Sequence, residues 1–297
     1  MRVLVTGCNG QVGRSVASLG QTLGFIISSC AREALDITSK SSITDNMQKF
    51  KPDLVINAAA YTAVDKAESD VELAFMVNKQ GVINLAHACE QADIPLFHIS
   101  TDYVFDGMSN QPYRETDIVS PLSVYGKSKE AGESALRSIL KKHIVLRTSW
   151  VFSEFGANFP KTILRLASEK DKINIVADQF GGPTSSKSIA KALCAIAQIY
   201  ESKKDLDWGT YHFTQQPHVS WYQFAEEIIR QAHEKNALEN IPVISKISTK
   251  DFPSVAKRPL DARLECSAIN EAFGISASEW YSDVGDLIDA CHNPREI

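Results

Sequence analysis

The sequence predicts an α/β fold in which a doubly wound parallel sheet is followed by a smaller C-terminal domain. Three observations support this prediction. Short β-branched runs alternate with helical stretches through the first half of the chain. Three glycines follow the first of these runs directly. The alternation breaks near residue 150. Strands that alternate with helices typically form parallel sheets covered on both faces.

Five short runs in the first half are predicted strands because they are apolar and rich in β-branched residues. They are RVLVT (2–6), FIIS (25–28), LVINA (54–58), PLFHIS (95–100) and HIVLRTSW (143–150). Helical stretches separate them, at 11–20, 39–50, 70–92 and 123–142.

The second half is less regular, and we assign it to a second domain. Helices are predicted near 158–169, 187–201, 221–235 and 279–291, and strands at 172–177, 209–214 and 243–247. We therefore predict a first domain over 1–150 and a second over 151–297. The segment 172–201 could return to the first domain, because the run KINIVA (172–177) has the character of a buried strand.

The composition excludes several classes of partner. The chain is 44% hydrophobic and 23% charged, with a net charge of −5. Since it has no long basic run, we expect neither a nucleic-acid partner nor an anionic membrane surface. No apolar stretch approaches the ~20 residues of a membrane span, and we expect no signal peptide.

The six cysteines are scattered, without metal-ligand spacing, which indicates reduced thiols and a cytoplasmic protein.

The glycine turn TGCNGQVG (6–13) predicts a dinucleotide site and hence a Rossmann-type sheet. Gly7, Gly10 and Gly13 stand three apart, between the first strand and the first helix. A turn of this kind lets the backbone approach a pyrophosphate, and the helix N-terminus offers free N–H groups to the anion.

The end of the second strand favours NADPH. An NAD site usually has an acidic residue there to hold the ribose 2′-hydroxyl, whereas an arginine suits a 2′-phosphate. Here Cys30 stands at the acidic position and Arg32 follows it. Glu33 is adjacent, so NADH remains an alternative.

Two tyrosine–lysine pairs have the spacing that brings both side chains to one face of a helix. Tyr125 and Lys129 lie in SPLSVYGKSKEAGE (120–133), after a strand and a loop. Tyr200 and Lys204 lie in a helix that runs into the charged segment KKDLD, and we predict that they occupy its solvated end. Because the spacing is shared, only the context distinguishes the two pairs, and it favours the first.

The first pair has the context of a proton donor. Ser100 and Thr101 end the fourth predicted strand, at the edge where ligands of open α/β sheets bind. Thr101 and Tyr125 could therefore converge on one substrate oxygen. A nearby ammonium favours phenolate, so Lys129 is expected to lower the pKa of Tyr125. The predicted chemistry is general acid catalysis.

At this point the chain resembles the extended short-chain dehydrogenases, and within them the dTDP-4-dehydrorhamnose reductase family. The resemblance covers nearly the whole chain. It rests on TGCNGQVG (6–13), LDIT (35–38), NAAAYTAVDKAE (57–68), STDYVFDG (100–107), SPLSVYGKSKEAGE (120–133), RTSWVF (147–152), DQFGGPT (178–184) and the late Arg258–Pro259.

The resemblance implies positions for the cofactor and the sugar. Thr101 would hydrogen-bond the C4 carbonyl oxygen of the sugar, and Tyr125 would protonate it as hydride arrives. Lys129 would hold the nicotinamide ribose. The residues implied at the pyrophosphate are Gly10, Gln11 and Val12; near the adenine, Asp36 and Ile37; beside the cofactor, Ala60, Tyr61 and Thr62; and at the sugar, Ser100, Asp102, Tyr103 and Trp150.

The resemblance also leaves alternatives open. Dehydratases of this superfamily carry a glutamate where Tyr103 stands. The base that a dehydratase needs to eliminate water is therefore absent from this position. A nucleotide-sugar epimerase uses the same tyrosine and lysine with NAD, and some relatives are regulatory binding subunits without catalysis. Simple reduction of dTDP-4-dehydro-L-rhamnose to dTDP-L-rhamnose needs only hydride, a proton donor and a partner for the oxygen.

No metal is expected. Some family members bind Mg²⁺ through acidic residues at a dimer contact. Ser15, Lys187 and Lys191 stand where acids would be needed, and lysines repel a hard cation. We therefore expect neither Mg²⁺ binding nor that particular dimer. The chain is expected to be a monomer or a homodimer.

Overall fold

The computed structural model describes residues 1–292 of the 297-residue chain. In chain order its strands are β1 (Arg2–Thr6), β2 (Ile26–Cys30), β3 (Leu54–Asn57), β4 (Leu96–Thr101), β5 (His143–Thr148), β6 (Val151–Phe152), β7 (Lys172–Val176), β8 (Phe180–Gly181), β9 (Thr184–Ser185), β10 (Gly209–His212), β11 (Val219–Ser220) and β12 (Val243–Ile247).

The helices are α1 (Gln11–Thr22), α2 (Lys40–Phe50), α3 (Val64–Ala67), α4 (Val71–Phe75), α5 (Gly81–Ala92), α6 (Val124–Ile139), α7 (Phe159–Glu169), α8 (Ser186–Lys203), α9 (Trp221–Glu234), α10 (Ser267–Phe273) and α11 (Tyr281–His292). A π-helical turn (Met76–Gln80) joins α4 to α5, and 3-10 turns form at Asp102–Val104 and Thr249–Asp251.

The central sheet has six parallel strands in the order β2-β1-β3-β4-β5-β10. The predicted Rossmann-type α/β fold is therefore confirmed. The strand order reverses between β1 and β3, and ligands of open α/β sheets bind at the carboxyl ends of the strands beside such a reversal.

Helices cover both faces of this sheet. One hydrophobic core joins Val5 and Leu146 of the sheet to Val16 of α1 and Leu193 of α8. A second core on the opposite face packs α2, α5 and α6 against strand residues such as Leu4. Strands buried on both faces explain why their sequences are nearly continuous apolar runs.

The C-terminal elements have a core of their own. It joins α7, α9 and α11 around Phe224 and Trp280, both of which are buried. The predicted strand KINIVA is β7, and it pairs in parallel with β12 rather than with the six-stranded sheet. Helix α8, by contrast, packs against the sheet. The domain boundary near residue 150 remains a prediction.

The second tyrosine–lysine pair ends α8, as predicted. Lys204 is the C-cap, and its ammonium lies 5.7 Å from the centre of the Tyr200 ring. The Tyr200 side chain is buried, however, so the expectation of a solvated tyrosine is wrong.

Among the helices of residues 1–292, none has both the length and the apolar character of a membrane span.

Candidate active site

A cleft of about 810 Å³ opens at the carboxyl edge of the sheet, and nearly all the predicted site residues line it. Gly13 is the exception, because it lies beneath the glycine turn. The predicted residues in the lining are Gly7, Gly10, Gln11, Val12, Arg32, Asp36, Ile37, Ala60, Tyr61, Thr62, Ser100, Thr101, Asp102, Tyr103, Tyr125, Lys129 and Trp150.

The glycine turn is packed too closely for side chains. Gly7 has φ +68°, and a Cβ there would lie 2.6 Å from the Ala59 nitrogen. A Cβ on Gly13 would lie 2.3 Å from the Gly7 carbonyl oxygen. Gly10 is the N-cap of α1 and offers no side chain to its first N–H groups. The turn therefore presents bare backbone donors at a helix N-terminus, which fits a pyrophosphate.

Arg32 and Asp36 form the rim of the cleft beyond β2. The Arg32 side chain is 68% exposed, and its Nε lies 3.7 Å from Asp36 Oδ2. Asp36 Oδ1 accepts hydrogen bonds from the Thr38 nitrogen and hydroxyl. Burial pushes the pKa of Asp36 upward, but these bonds and the guanidinium outweigh it and lower that pKa. Arg32 is thus oriented at the cleft by Asp36 rather than held in a buried pair.

The segment after β3 is held from behind by Asn78, which is 1% exposed. Asn78 Oδ1 accepts from the Tyr61 nitrogen at 2.8 Å, and Asn78 Nδ2 donates to the Tyr61 carbonyl at 3.0 Å. These bonds fix the backbone of residues 60–62, which lines the cleft. The Tyr61 hydroxyl donates to Asp70, away from the tyrosine–lysine pair.

Thr101 and Asp102 form a buried polar pair at the end of β4. The Thr101 hydroxyl donates to Asp102 Oδ1 at 3.0 Å and accepts from the Tyr103 nitrogen at 3.2 Å. Asp102 is 2% exposed, and its Oδ2 has no hydrogen-bond partner within residues 1–292. Burial raises the pKa of Asp102 to about 7. Near neutrality this carboxyl is therefore partly protonated.

Tyr125 stands in the first turn of α6, whose N-cap Ser123 accepts from the Gly126 nitrogen. Burial raises the pKa of the Tyr125 phenol to about 12, the neighbouring Thr101 hydroxyl opposes that rise, and the Asp102 charge adds to it. The structure thus brings the predicted pair Thr101 and Tyr125 together. The phenol is protonated at neutral pH.

Lys129 is buried, 2% exposed, one turn along α6. Its ammonium group donates to the Ile99 carbonyl at 2.7 Å and lies 3.3 Å from His98 Nε2. Burial lowers the pKa of Lys129 to about 8, and the Glu133 carboxylate opposes that shift. Lys129 is not among the groups that shift the pKa of Tyr125, so the expectation that it lowers the Tyr125 pKa is wrong for this structure.

Trp150 follows β5 with φ +46°, a left-handed backbone conformation that is rare outside glycine. Its indole stacks on Trp221, with ring centroids 3.5 Å apart and planes 8° apart. Trp221 Nε1 donates to Gln179 Oε1 at 3.2 Å. Trp150, which the resemblance places at the sugar, is therefore backed by Trp221 of α9.

Sequence reasoning missed several lining residues. Thr148 and Ser149 lie at the carboxyl end of the predicted strand 143–150, so the carboxyl-edge rule could have found them. Gly156 and Ala157 lie in a loop with no strand signal before them. The other missed residues are Asn9, Ala31, Glu33, Leu35, Thr38, Ala58, Ala59, Val64, Leu73, Val77, Ile99 and Val151.

Two of the residues at the family's metal position, Ser15 and Lys187, contact neighbouring side chains. The Ser15 and Ser186 hydroxyls lie 2.7 Å apart, and Lys187 pairs with Glu154 at 3.4 Å and with Asp286 at 3.7 Å. Within residues 1–292, no group of three or more His, Cys, Asp or Glu side chains could hold a metal ion.

The sheet, the bare glycine turn and the half-buried tyrosine beside a threonine hydroxyl define a Rossmann-type oxidoreductase of the short-chain dehydrogenase kind. The family model described as "RmlD substrate binding domain" matches residues 1–293. A dTDP-4-dehydrorhamnose reductase of Aggregatibacter actinomycetemcomitans is 47% identical over 94% of this chain and 95% of that protein. The chain belongs to the dTDP-4-dehydrorhamnose reductase family.

Two solved structures agree with this assignment. A dTDP-4-dehydrorhamnose reductase of Clostridium acetobutylicum superposes with a TM-score of 0.89 at 34% identity, covering 98% of this chain and 99% of that one. The dTDP-4-dehydrorhamnose reductase of Bacillus anthracis, solved in complex with NADP, has a TM-score of 0.87 at 32% identity, covering 96% and 98%. The similarity thus extends over both halves of the chain.

Proposed function

We propose that the protein reduces the C4 ketone of dTDP-4-dehydro-L-rhamnose with NADPH, giving dTDP-L-rhamnose for cell-surface polysaccharide synthesis. The observation that carries the proposal is the convergence of Thr101 and Tyr125 in the cleft that the glycine turn opens. The names of the relatives supply the sugar nucleotide, and the NADP complex of the Bacillus anthracis relative supports the cofactor.

The cofactor site fits a phosphorylated dinucleotide. The backbone of Gly10, Gln11 and Val12 would hold the pyrophosphate, because the glycines at 7 and 13 leave no room for side chains there. Arg32, at the rim, would bind a 2′-phosphate. Bound NADPH would supply the hydride for the ketone carbon.

Tyr125 supplies the proton. Its phenol stays protonated at neutral pH and releases its hydrogen only as negative charge develops on the carbonyl oxygen. Thr101 can donate to the same oxygen when its single hydrogen is free. That hydrogen is free when Asp102 is protonated and donates to Thr101 instead of accepting from it, a state that its raised pKa favours.

The sugar site suits a deoxy sugar. Trp150, which is backed by Trp221, presents a flat apolar wall to the cleft, and burying a methyl group against it contributes roughly 1 kcal/mol. A hydroxyl turned toward the wall without a partner would cost ~1–3 kcal/mol. The wall therefore favours a 6-deoxy hexose.

Reduction is favoured over elimination. A dehydratase needs a carboxylate base at the position of Tyr103, and burial raises the pKa of the Tyr103 phenol further above its ordinary value. A phenol in that state does not accept a proton from a sugar carbon at neutral pH.

Product analysis tests the proposal. The purified protein is incubated with NADPH and dTDP-4-dehydro-L-rhamnose, and the products are identified by proton NMR. The expected product is dTDP-L-rhamnose, formed only with reduced cofactor. A changed sugar without NADPH oxidation would indicate an epimerase, and binding of the sugar nucleotide without turnover would indicate a regulatory binding subunit.

A further inference from the structure

A chain of buried hydrogen bonds runs behind the active site from β3 to Lys129. Its members are Asn57, His98 and Lys129, which are 0%, 0% and 2% exposed. Asn57 Nδ2 lies 2.9 Å from His98 Nδ1, and His98 Nε2 lies 3.3 Å from Lys129 Nζ. The proposed reaction gives Asn57 and His98 no task.

The orientation of the Asn57 amide is determined by its neighbours. Asn57 Oδ1 accepts from the Ala59 backbone nitrogen at 3.2 Å and from the Thr6 hydroxyl at 2.6 Å. The Ala59 N–H can only donate, so the atom that faces it must be the oxygen. Asn57 Nδ2 therefore points at His98 and donates to Nδ1.

The direction of that bond determines where His98 carries its proton. Burial lowers the pKa of His98 well below its ordinary value, so the ring is neutral and has one N–H. Because Nδ1 accepts from Asn57, the N–H is on Nε2. The hydrogen on Nε2 faces the Lys129 nitrogen.

A lysine nitrogen can accept that hydrogen only as the amine. An ammonium has three hydrogens and no lone pair, so it cannot accept the Nε2 hydrogen, and two donors would face each other. The amine can accept from His98 and still donate to the Ile99 carbonyl. The other titratable groups around Lys129 are Glu133, which favours the ammonium, and the Tyr125 phenol on the same helix face.

We propose that His98, oriented by Asn57, is a positioning residue that stabilises the amine form of Lys129 through its Nε2 hydrogen. Lys129 thereby changes its charge within the working pH range instead of staying a permanent cation. The proposal deepens the proposed function, because it concerns the lysine of that site. Its main tests do not require turnover, so they stand if the substrate assignment fails.

The tautomer can be measured on the unaltered protein. Histidine labelled with ¹⁵N reports by NMR which ring nitrogen is protonated, and the His98→Gln variant identifies the His98 signals by difference. We expect a neutral ring protonated at Nε2 from pH 6 to 9. A ring protonated at Nδ1, or an imidazolium, would overturn the proposal.

The effect on Lys129 is tested with a matched pair of variants. Glutamine and methionine have similar shapes, but only glutamine keeps an N–H donor near the position of Nε2. With lysine labelled at ¹³Cε and assigned by difference from Lys129→Met, the wild-type midpoint is expected near the pKa of about 8. His98→Met should raise it by roughly one pH unit, since the group that favours the amine is lost.

His98→Gln should restore the wild-type midpoint, and the exposed His87→Met is the control that should not move it. Equal midpoints in the methionine and glutamine variants would contradict the proposal, because packing alone would then explain any loss of activity.

Discussion

The rings of Tyr103 and Tyr125 meet edge to face, with centroids 5.6 Å apart and planes at 75°. This contact covers the phenol that the proposed reaction needs. Since burial raises the pKa of both phenols, neither is a base at neutral pH, and Tyr125 is available as a proton donor. Tyr103 therefore packs against the proposed proton donor without competing with it as a base.

Tyr125→Phe should retain cofactor binding and lose turnover. Removing a positioned general acid typically lowers the rate ~10²–10⁴-fold. NADPH affinity by fluorescence titration and kcat by steady-state kinetics measure the two effects separately. Tyr200→Phe, the same change in the second pair, is the control and should leave both near wild type. A Tyr125→Phe enzyme within a few-fold of wild type would end the assignment of Tyr125 as the donor.

The Arg32→Ala substitution should weaken the binding of NADPH and leave the binding of NADH unchanged. The guanidinium stands exposed at the rim, where it can meet a 2′-phosphate that NADH lacks. Losing a charge-assisted hydrogen bond at an exposed site is expected to raise the KM for NADPH roughly tenfold. Arg165→Ala removes an exposed, paired arginine on α7 and serves as the control. An unchanged ratio of the two KM values would show that Arg32 does not distinguish the cofactors.

Gly13→Ala should weaken NADPH binding by roughly tenfold or more, because overpacking costs ~1–3 kcal/mol and must displace the turn. The added Cβ would lie 2.3 Å from the Gly7 carbonyl oxygen, which is backbone. Gly20→Ala lies in the same helix, but its Cβ would meet the flexible end of Ile27 at 2.8 Å. Calorimetric titration of NADPH should distinguish the two variants. Equal NADPH affinities would show that the glycine turn does not need Gly13 to bind the cofactor.

Asp102→Asn should gain stability relative to wild type as pH rises. The folded-state pKa of about 7 lies above the ordinary 3.8, so the folded protein holds this proton more tightly than the unfolded chain. The wild type therefore loses stability as pH rises toward 7, and asparagine does not. Between pH 5 and 8 the difference should change by about 2–3 kcal/mol.

Urea unfolding of both proteins at the two pH values measures this difference. The exposed Asp45→Asn on α2 is the control, and its difference from wild type should not vary. A pH-independent difference for Asp102→Asn would show that the carboxyl is already ionised in the folded protein at pH 5.

Local sequence signals predicted most of the framework and the cleft. RVLVT is β1 with the same bounds, and SPLSVYGKSK opens α6 as expected. KINIVA was correctly predicted as a strand, but its pairing could not be predicted because its partner β12 lies about 70 residues later. The edge strand β10 joined the sheet with no βαβ spacing to indicate it.

The site shows the same division between local and long-range information. Helical spacing placed Tyr125 and Lys129 on one face, but it could not show that Lys129 bonds to Ile99 and His98 on β4. Trp221, which stacks on Trp150, is 71 residues away along the chain, and no periodic pattern connects them. Contacts between distant elements depend on how whole helices and strands pack together, which no single stretch of sequence encodes.

The most direct test of the central claim is a progress curve with NADPH and dTDP-4-dehydro-L-rhamnose at known amounts. We predict that the absorbance of the reduced nicotinamide falls in step with the sugar nucleotide, one cofactor for each dTDP-L-rhamnose formed. The fall should be absent with dTDP-glucose, which has no C4 ketone. If NADPH is not oxidised with the keto sugar, or if dTDP-glucose is converted without added NADPH, the protein is not the proposed reductase.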